Sequence, residues 1–457
     1  MSSGKTKELT QGNAFHLLLA FTVPILLGNV LQQFYLLTDS AIVSNFLGVG
    51  QLAAVGASTS ITFLILGFCN GCAGGMAIPV AQAFGARDYS ALRKYVFTSL
   101  SLAARISVTL AAVSALLCHS IISWIHVPQE ISEWAYNYLL ILFLGIPCSF
   151  FYNLLASIIR ALGDSRTPFL FLLFSTCLNI VLDLLFIIVF RWGVAGAGIA
   201  TVVAQGISAV LCYRFMMRNY DVLRECREDR RYDKESAGQL LSVGVPMGLQ
   251  FSITAIGSIM IQSSNNSLGT VFVAGFAAGM RIKMLFMVAL ESLGIAMTTF
   301  CGQNIGAGKP ERIIEGVRAC MAMIAVYCVV CFAVVWPLAG PLARIFVGAS
   351  DAEIIAAAVK YIRTSVTFYF FLGTLCLFRY SIQGLGFTNF AMWSGVMEMI
   401  ARVLVSLLLV APLGYTAICL ADAIAWIAAN LFLVPAFVHV YHRVSSGTTF
   451  GVVRRSA

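Results

Sequence analysis

The chain has 457 residues, of which 60% are hydrophobic and 11% are charged, with a mean hydropathy of +0.89. Water-soluble domains are about 45–50% apolar and about 25% charged, so this composition excludes an ordinary soluble protein. The net charge of +9 does not indicate nucleic-acid binding, because the basic residues form short clusters between long apolar runs. The composition predicts a protein whose main solvent is lipid.

A transmembrane helix needs about 20 predominantly apolar residues. In chain order, the apolar runs predict twelve such helices, at residues 14–43, 50–80, 95–125, 134–159, 168–190, 194–217, 239–264, 270–300, 313–336, 358–380, 389–411 and 415–440. The one long polar segment, residues 214–235, divides them into two sets of six. We therefore predict an all-α membrane protein with an N-terminal lobe (1–217), a linker (218–238) and a C-terminal lobe (239–457).

The basic residues are distributed unequally between the two sides of the membrane. The side of the termini and the linker carries 21 of the 29 Lys and Arg residues, among them Lys5, Lys7, Arg379, Arg454 and Arg455, whereas the opposite side carries only Arg191, Arg344, Lys360 and Arg363. By the positive-inside rule, both termini and the linker are predicted to be cytoplasmic. The remaining four cations, Arg105, Arg281, Lys283 and Arg402, fall inside spans.

The two sets of six spans are related by an internal repeat. Val23–Pro24 matches Val245–Pro246, residues 45–48 match 266–269, 82–87 match 303–308, and 160–163 match 383–386, at intervals of 222, 221, 221 and 223 residues. The nearly constant interval indicates duplication. Because six is an even number, both lobes enter the membrane with the same orientation, and alternating access around a central site is the mechanism that this architecture favours.

Two acidic residues lie inside spans of the N-terminal lobe, where ionisable groups are costly and are functional candidates. Asp39 and Asp183 both fall in the outer portions of outward-running helices, Asn179 precedes Asp183 by one turn, and Thr201 lies at a comparable depth. These oxygens suit either a proton or a sodium ion, and the sequence does not choose between them. The alternative is that each aspartate only ties helices together through local hydrogen bonds.

The C-terminal lobe differs at the matching positions. Arg402 stands where the first lobe has Asn179, Ser406 stands where it has Asp183, and Asp422 stands where it has Thr201. Glu398 precedes Arg402 by one turn in the favourable order, so we predict a Glu398, Arg402 and Asp422 network. A static ion network that locks the lobe and a role in transport both remain open. Lys283 and Glu291 are two turns apart, so we expect their partners, like those of Arg281, on other helices.

The cysteines and the absence of catalytic motifs argue against a metal site or an enzyme. Most of the 13 cysteines lie in apolar stretches, and the pairs Cys69/Cys72 and Cys328/Cys331 lack zinc-binding partners at a suitable spacing. No HExxH, GxSxG or phosphate-loop motif is present in the sequence. We expect no cofactor, and no bound ion other than the coupling Na⁺ or H⁺.

As an ordered, repeated set, several motifs resemble the multidrug and toxic compound extrusion (MATE) family, in particular its bacterial DinF-like and NorM-like members. The motifs are Pro24 with Asp39, residues 45–48, 82–87, 160–164 and 303–308, and Asn179 with Asp183, and the resemblance covers nearly the whole chain. It implies a V-shaped pair of six-helix lobes that exports amphipathic, often cationic, compounds in exchange for Na⁺ or H⁺.

The resemblance also implies roles for individual residues. The cation site of DinF-like members would comprise Asp39, Asn179, Asp183 and Thr201, with Pro24 as the bending point of the first helix and Gln32 and Tyr35 lining the substrate cavity. NorM-like members use acids on the seventh and tenth helices. Residues 239–264 and 358–380 contain no Asp or Glu, which favours the first lobe.

Other functions are kept as alternatives. A flippase of lipid-linked precursors would need a strongly cationic cavity, for which Arg105, Arg281 and Lys283 are available. A membrane enzyme or a receptor finds no support in the motifs. We expect a monomeric, multi-pass protein of the cell (inner) membrane that binds small amphipathic molecules and no nucleic acid.

Overall fold

A computed structural model describes residues 8–124, 127–224, 226–347 and 351–446. Lys5, Lys7, Arg454 and Arg455, which contributed to the predicted orientation, lie outside the described residues. No strand occurs within the described ranges, and helices account for nearly all of them. The prediction of an all-α protein is confirmed.

The helices follow one another with short connections. The first half contains α1 (Ala14–Leu47), α2 (Val49–Gly85), α3 (Tyr89–Trp124), α4 (Gln129–Leu144), α5 (Ile146–Ala161), α6 (Arg166–Leu184), the π-helical segment Leu185–Val189 and α7 (Gly193–Asn219). Two short 3₁₀ turns, Asp221–Leu223 and Arg227–Arg230, lead to the second half. That half contains α8 (Lys234–Asn266), α9 (Thr270–Gly306), α10 (Glu311–Val347), α11 (Ala352–Thr367), α12 (Tyr369–Gly384), α13 (Thr388–Leu404), the π-helical segment Val405–Leu409, α14 (Val410–Leu413) and α15 (Tyr415–Ser445).

Within the described residues, ten spans are long and apolar enough to cross a membrane as single helices. Two further spans are broken: α4 and α5 meet at 46°, and α11 and α12 meet at 50°. The count agrees with the twelve predicted spans, but the prediction of continuous helices over 134–159 and 358–380 was wrong. At the first break, a Cβ on Gly145 would lie 2.2 Å from a methyl of Val202, so only glycine permits this close approach.

The secondary structure repeats as the sequence does. Helices α2 and α9 each have 37 residues, α4 and α11 each have 16, and α5 and α12 each have 16. Both broken spans occupy the same place in their halves, and each half has a five-residue π-helical segment before its last long helix. Duplication therefore extends to the irregular features of the backbone.

Two compact units divide the described chain at places that differ from the predicted lobe boundaries at 217 and 239. Unit 1 comprises residues 8–9 and 23–252, and unit 2 comprises residues 10–22 and 253–446, apart from the gaps in the described residues. Helices α1 and α8 are thus each divided, because their halves pack with different neighbours. Polarity places the boundary in the linker, whereas packing places it inside α8.

Glycines explain why the first half of α8 belongs to unit 1. A Cβ on Gly75 of α2 would lie 2.7 Å from the Cα of Gly244, and a Cβ on Gly71 would lie 2.5 Å from the carbonyl oxygen of Met247. The backbones of α2 and α8 therefore touch, as small residues allow in membrane helices.

The linker is attached to the start of α3. Asp229 accepts hydrogen bonds from Arg93 at 2.8 Å and from Ser90 at 3.0 Å. Burial raises the pKa of the Asp229 carboxyl, but hydrogen bonds from Arg93 and Ser90, with the charges of Arg93 and Lys94, lower it more, so this pKa lies below its ordinary value. Arg105, which the sequence left unexplained, lies 4.5 Å from the ring centre of Tyr232 in the linker.

Candidate functional site

Three helices of unit 1 present the predicted cation-binding residues. On α1, Tyr35 and Asp39 are four residues apart and lie on one face, and on α6 the same spacing joins Asn179 and Asp183. Thr201 lies two turns into α7, which packs against α6. A helical hairpin and one further helix therefore bring polar groups from distant parts of the chain together.

Asn179 connects the other polar groups of this site. With its amide oriented to satisfy its neighbours, its nitrogen donates to Asp183 Oδ2 at 2.8 Å, and its oxygen accepts from the Thr201 backbone N–H at 3.1 Å. The hydroxyls of Tyr35 and Thr201 are 2.9 Å apart and share a hydrogen bond. Asp183 is fully buried, and Asp39 is buried as well.

The two carboxyl groups, called here the acid pair (Asp39 and Asp183), interact with each other electrostatically. Asp39 Oδ1 and Asp183 Oδ1 are both buried and make no hydrogen bond. No ion pair with Lys or Arg is found for either residue in the described part of the chain. Two adjacent buried carboxylates without a counter-charge repel one another, so the arrangement is stable only with a bound proton or cation.

The donor set fits a monovalent cation or a proton. It consists of carboxylate, amide and hydroxyl oxygens, which are hard ligands. No group of three or more His, Cys, Asp or Glu side chains with metal-binding geometry occurs among the described residues. The π-helical segment Leu185–Val189 directly follows α6 and Asp183, and such segments are frequent at functional sites.

Tyr138 belongs to the same site, and the sequence interpretation missed it. It lies on α4, and both Asp39 and Asp183 act on it electrostatically. The internal repeat contained the signal, because Tyr138 matches Tyr361 at the interval of 223 residues.

Three residues of α1, Pro24, Gln32 and Tyr35, were predicted from the family resemblance alone. Tyr35, predicted to line a substrate cavity, is hydrogen-bonded to Thr201 in the candidate cation site. Gln32, one turn earlier, is exposed on α1. Helix α1 continues through Pro24 without interruption, and the role of Pro24 as a bending point stays a prediction.

In unit 2 the structure brings Glu398, Arg402 and Asp422 together. Arg402 donates to Asp422 Oδ1 at 3.1 Å and to Glu398 Oε2 at 3.4 Å. Lys283 donates to Asp422 Oδ2 at 2.6 Å, so its partner lies on another helix, as expected. Tyr361 donates to the same oxygen at 3.1 Å.

Arg379 is the fifth charged member of this ion network (Lys283, Arg379, Glu398, Arg402 and Asp422). Arg379, which the distribution of basic residues assigned to the side of the termini, is buried in α12 and donates to Glu398 and to Ser394 Oγ. Glu291 interacts electrostatically with Arg379 and Lys283. Arg281 is exposed on α9.

The MatE family model matches the chain twice, over residues 24–185 and 246–427. The chain belongs to the MATE family of efflux transporters. The two matches begin at the proline of each half, so the family model covers both repeats.

Curated relatives agree with this assignment. The chain is 33% identical to the probable multidrug resistance protein YpnP of Bacillus subtilis over 369 residues, which cover 81% of this chain and 82% of that protein. It is 22% identical to the multidrug export protein MepA of Staphylococcus aureus, with 81% of this chain and 82% of that protein covered. It is 21% identical to a FAD transporter of Shewanella oneidensis, with 80% and 81% covered.

Solved structures of MATE transporters share the fold. An outward-facing multidrug resistance MATE transporter of the MOP superfamily superposes with a TM-score of 0.90 at 23% identity, over 98% of this chain and all of that chain. A MATE transporter in complex with MaL6 superposes with a TM-score of 0.88 at 22% identity, over the same shares. The predicted arrangement of twelve spans in a MATE-like fold is confirmed.

Proposed function

We propose that this MATE transporter is a secondary antiporter, which exports amphipathic, often cationic, compounds across the cell membrane in exchange for Na⁺ or H⁺. The acid pair carries the proposal, because its two carboxyl groups need a proton or a cation to stay together in a buried place. Relatives whose names denote multidrug export support the substrate class.

In the proposed cycle the acid pair changes its occupancy as the transporter changes conformation. The ion binds from outside, joins α1 to α6 and α7 through Asp39, Asp183 and Thr201, and is released inside. Its release leaves two repelling carboxylates, which favours the conformation that binds cationic substrate. A ligand shifts such an equilibrium only by its differential affinity for the two states, and the charge change supplies that difference.

The flippase alternative requires Lys or Arg side chains that are not already in contact with other groups. Few of the three predicted side chains meet this requirement. Arg105 lies against Tyr232 and Lys283 is paired with Asp422, which leaves Arg281 as the exposed member of the three. These contacts favour export of cationic compounds over transport of polyanionic lipid precursors.

Efflux from vesicles tests the proposal. A fluorescent cation is loaded, and sodium and proton gradients are imposed separately on the wild type, Asp39→Asn and Asp183→Asn. We expect both variants to insert normally and to lose gradient-driven export by at least about tenfold, because a neutral amide no longer needs the ion. Glu133→Gln, which alters an exposed acid of α4, serves as the matched control. Normal export by both aspartate variants would refute the proposed ion site.

A further inference from the structure

The repeat places a second, altered copy of the cation site in unit 2. At the intervals of 221 to 223 residues, the positions of the unit 1 site, and Thr62 on α2 with them, correspond in sequence to positions in unit 2 as follows: Tyr35 to Gly257, Asp39 to Ile261, Thr62 to Lys283, Tyr138 to Tyr361, Asn179 to Arg402, Asp183 to Ser406, and Thr201 to Asp422. Both acids of unit 1 are replaced by neutral residues, and two neutral residues are replaced by cations.

The contacts show that several of these positions converge in unit 2 as they do in unit 1. Asn179 contacts Thr201, and its counterpart Arg402 contacts Asp422. Tyr361, the counterpart of Tyr138, donates to Asp422.

Gly257 provides the room that Arg402 needs. A Cβ on Gly257 would lie 3.3 Å from Arg402 Cδ and 3.5 Å from its Nη1. Its counterpart Tyr35 extends to Thr201 instead. One half therefore fills this space with a tyrosine, and the other fills it with a guanidinium group.

The charge balance of the two copies is opposite. The acid pair of unit 1 has two carboxyl groups, two buried oxygens without partners and no cationic side chain paired with it in the described residues. Asp422 in unit 2 has two cationic partners, Lys283 at 2.6 Å and Arg402 at 3.1 Å. Thr62, the counterpart of Lys283, has a buried hydroxyl that also lacks a partner.

We propose that Lys283 and Arg402 are built-in cations, which occupy in unit 2 the place that the coupling ion takes in unit 1. Unit 2 then binds no coupling ion, and the transporter exchanges through a single ion site. This inference rests on the proposed antiport function and goes beyond it, since it assigns the coupling to one half of the molecule.

The energetics agree with a permanent pairing. An ammonium or guanidinium group that is covalently attached cannot diffuse away, and a buried ion pair that loses one partner is strongly destabilised. Unit 2 therefore keeps its charge through the cycle, whereas unit 1 gains and loses one.

Transfer of the built-in cation to unit 1 tests this equivalence. In Thr62→Lys, the new ammonium is expected to reach the acid pair as Lys283 reaches Asp422. The melting temperature in detergent should then no longer depend on NaCl against choline chloride, or on pH between about 5.5 and 8, and gradient-driven export should fall at least about tenfold. Thr62→Met, which adds similar length without charge, should keep ion-dependent melting. Ion-dependent melting in Thr62→Lys, or its equal loss in Thr62→Met, would overturn the equivalence.

The reverse change tests the single ion site. The stoichiometry of ion binding to purified protein is measured with radioactive sodium or by proton uptake. We expect one ion for the wild type, none for Asp183→Asn, and two for Lys283→Thr with Arg402→Asn, which gives unit 2 the residues of unit 1 at these two positions and leaves Asp422 without its cationic partners. Adding Asp422→Thr should return the value to one.

The outcomes separate the two proposals. If the wild type binds no ion, the proposed antiport function fails. If the wild type binds an ion, and a variant that carries both Asp39→Asn and Asp183→Asn still binds one, the ion site lies outside the acid pair and the inference about built-in cations is refuted. That comparison remains decisive even if the variant with Lys283→Thr and Arg402→Asn does not fold.

Discussion

At the scale of single residues, the two units illustrate two ways to keep charge inside a membrane. Asp183 is fully buried beside an amide and a second carboxyl group and has no ion pair with Lys or Arg within the described residues, so in the proposed cycle it depends on a bound ion. Asp422 has a lysine and an arginine within hydrogen-bonding distance, so it does not. The corresponding regions of the two units therefore differ: one holds the acid pair, and the other holds a network of ion pairs.

Arg402→Met is expected to destabilise the protein strongly. The change leaves Glu398 and Asp422 each with one cation instead of two, and breaking a buried ion pair costs about 3–5 kcal/mol. Adding Glu398→Gln should recover part of the loss, because it removes one of the acids left underbalanced. Thermal unfolding in detergent measures both variants. An unchanged melting temperature for Arg402→Met would show that the network contributes no stability.

At the scale of the elements, the close contact of α2 with the first half of α8 defines unit 1. The backbones meet where glycines face one another, so no side chain separates the two helices. Sequence patterns cannot reveal this contact, because a glycine in an apolar span is equally compatible with lipid. The predicted boundary at 239 followed polarity and therefore differed from the packing boundary at 252.

Gly75→Leu should disrupt this contact. A Cβ there would lie 2.7 Å from Gly244 Cα and 2.9 Å from the Val243 carbonyl oxygen, both backbone atoms that have little freedom to move. We expect a destabilisation of about 1–3 kcal/mol or more, as is typical of overpacking. Gly56→Leu, on the same helix with open space around the added Cβ, is the control and should unfold like the wild type. The melting temperatures of the two variants provide the comparison.

The breaks in the fourth and tenth spans were also not predicted from hydropathy. Residues 129–161 are apolar enough for one continuous helix, yet α4 and α5 meet at 46°. Pro147, at the start of α5, favours a break here, and the close approach of Gly145 to Val202, a residue more than fifty positions later, is seen only in the folded chain. Hydropathy indicates whether a segment lies in lipid or in water, and it contains no information on a contact between residues so far apart in the chain.

At the scale of the whole molecule, the orientation in the membrane remains a prediction from the distribution of basic residues. The linker offers a direct test, because Cys226 is exposed and lies between α7 and α8. A membrane-impermeant maleimide should label it in inside-out vesicles and leave it unlabelled in intact cells. The Cys226→Ser variant identifies the labelled position. Labelling of Cys226 in intact cells would contradict cytoplasmic termini.

The sequence alone determined the twelve spans and the duplication, and it indicated Asp39, Asn179, Asp183 and Thr201 as the core of the predicted cation site. These features are local or periodic: an apolar run indicates a segment that lies in lipid, and a constant interval indicates a repeat. Only the tertiary structure decided that the two aspartates lie together without an ion pair to Lys or Arg in the described residues. It also decided that Lys283 and Arg402 share Asp422, and that Arg379 is buried beside Glu398. The net charge of a site depends on side chains from helices that are far apart in the chain. It is therefore defined only after folding has brought those helices together.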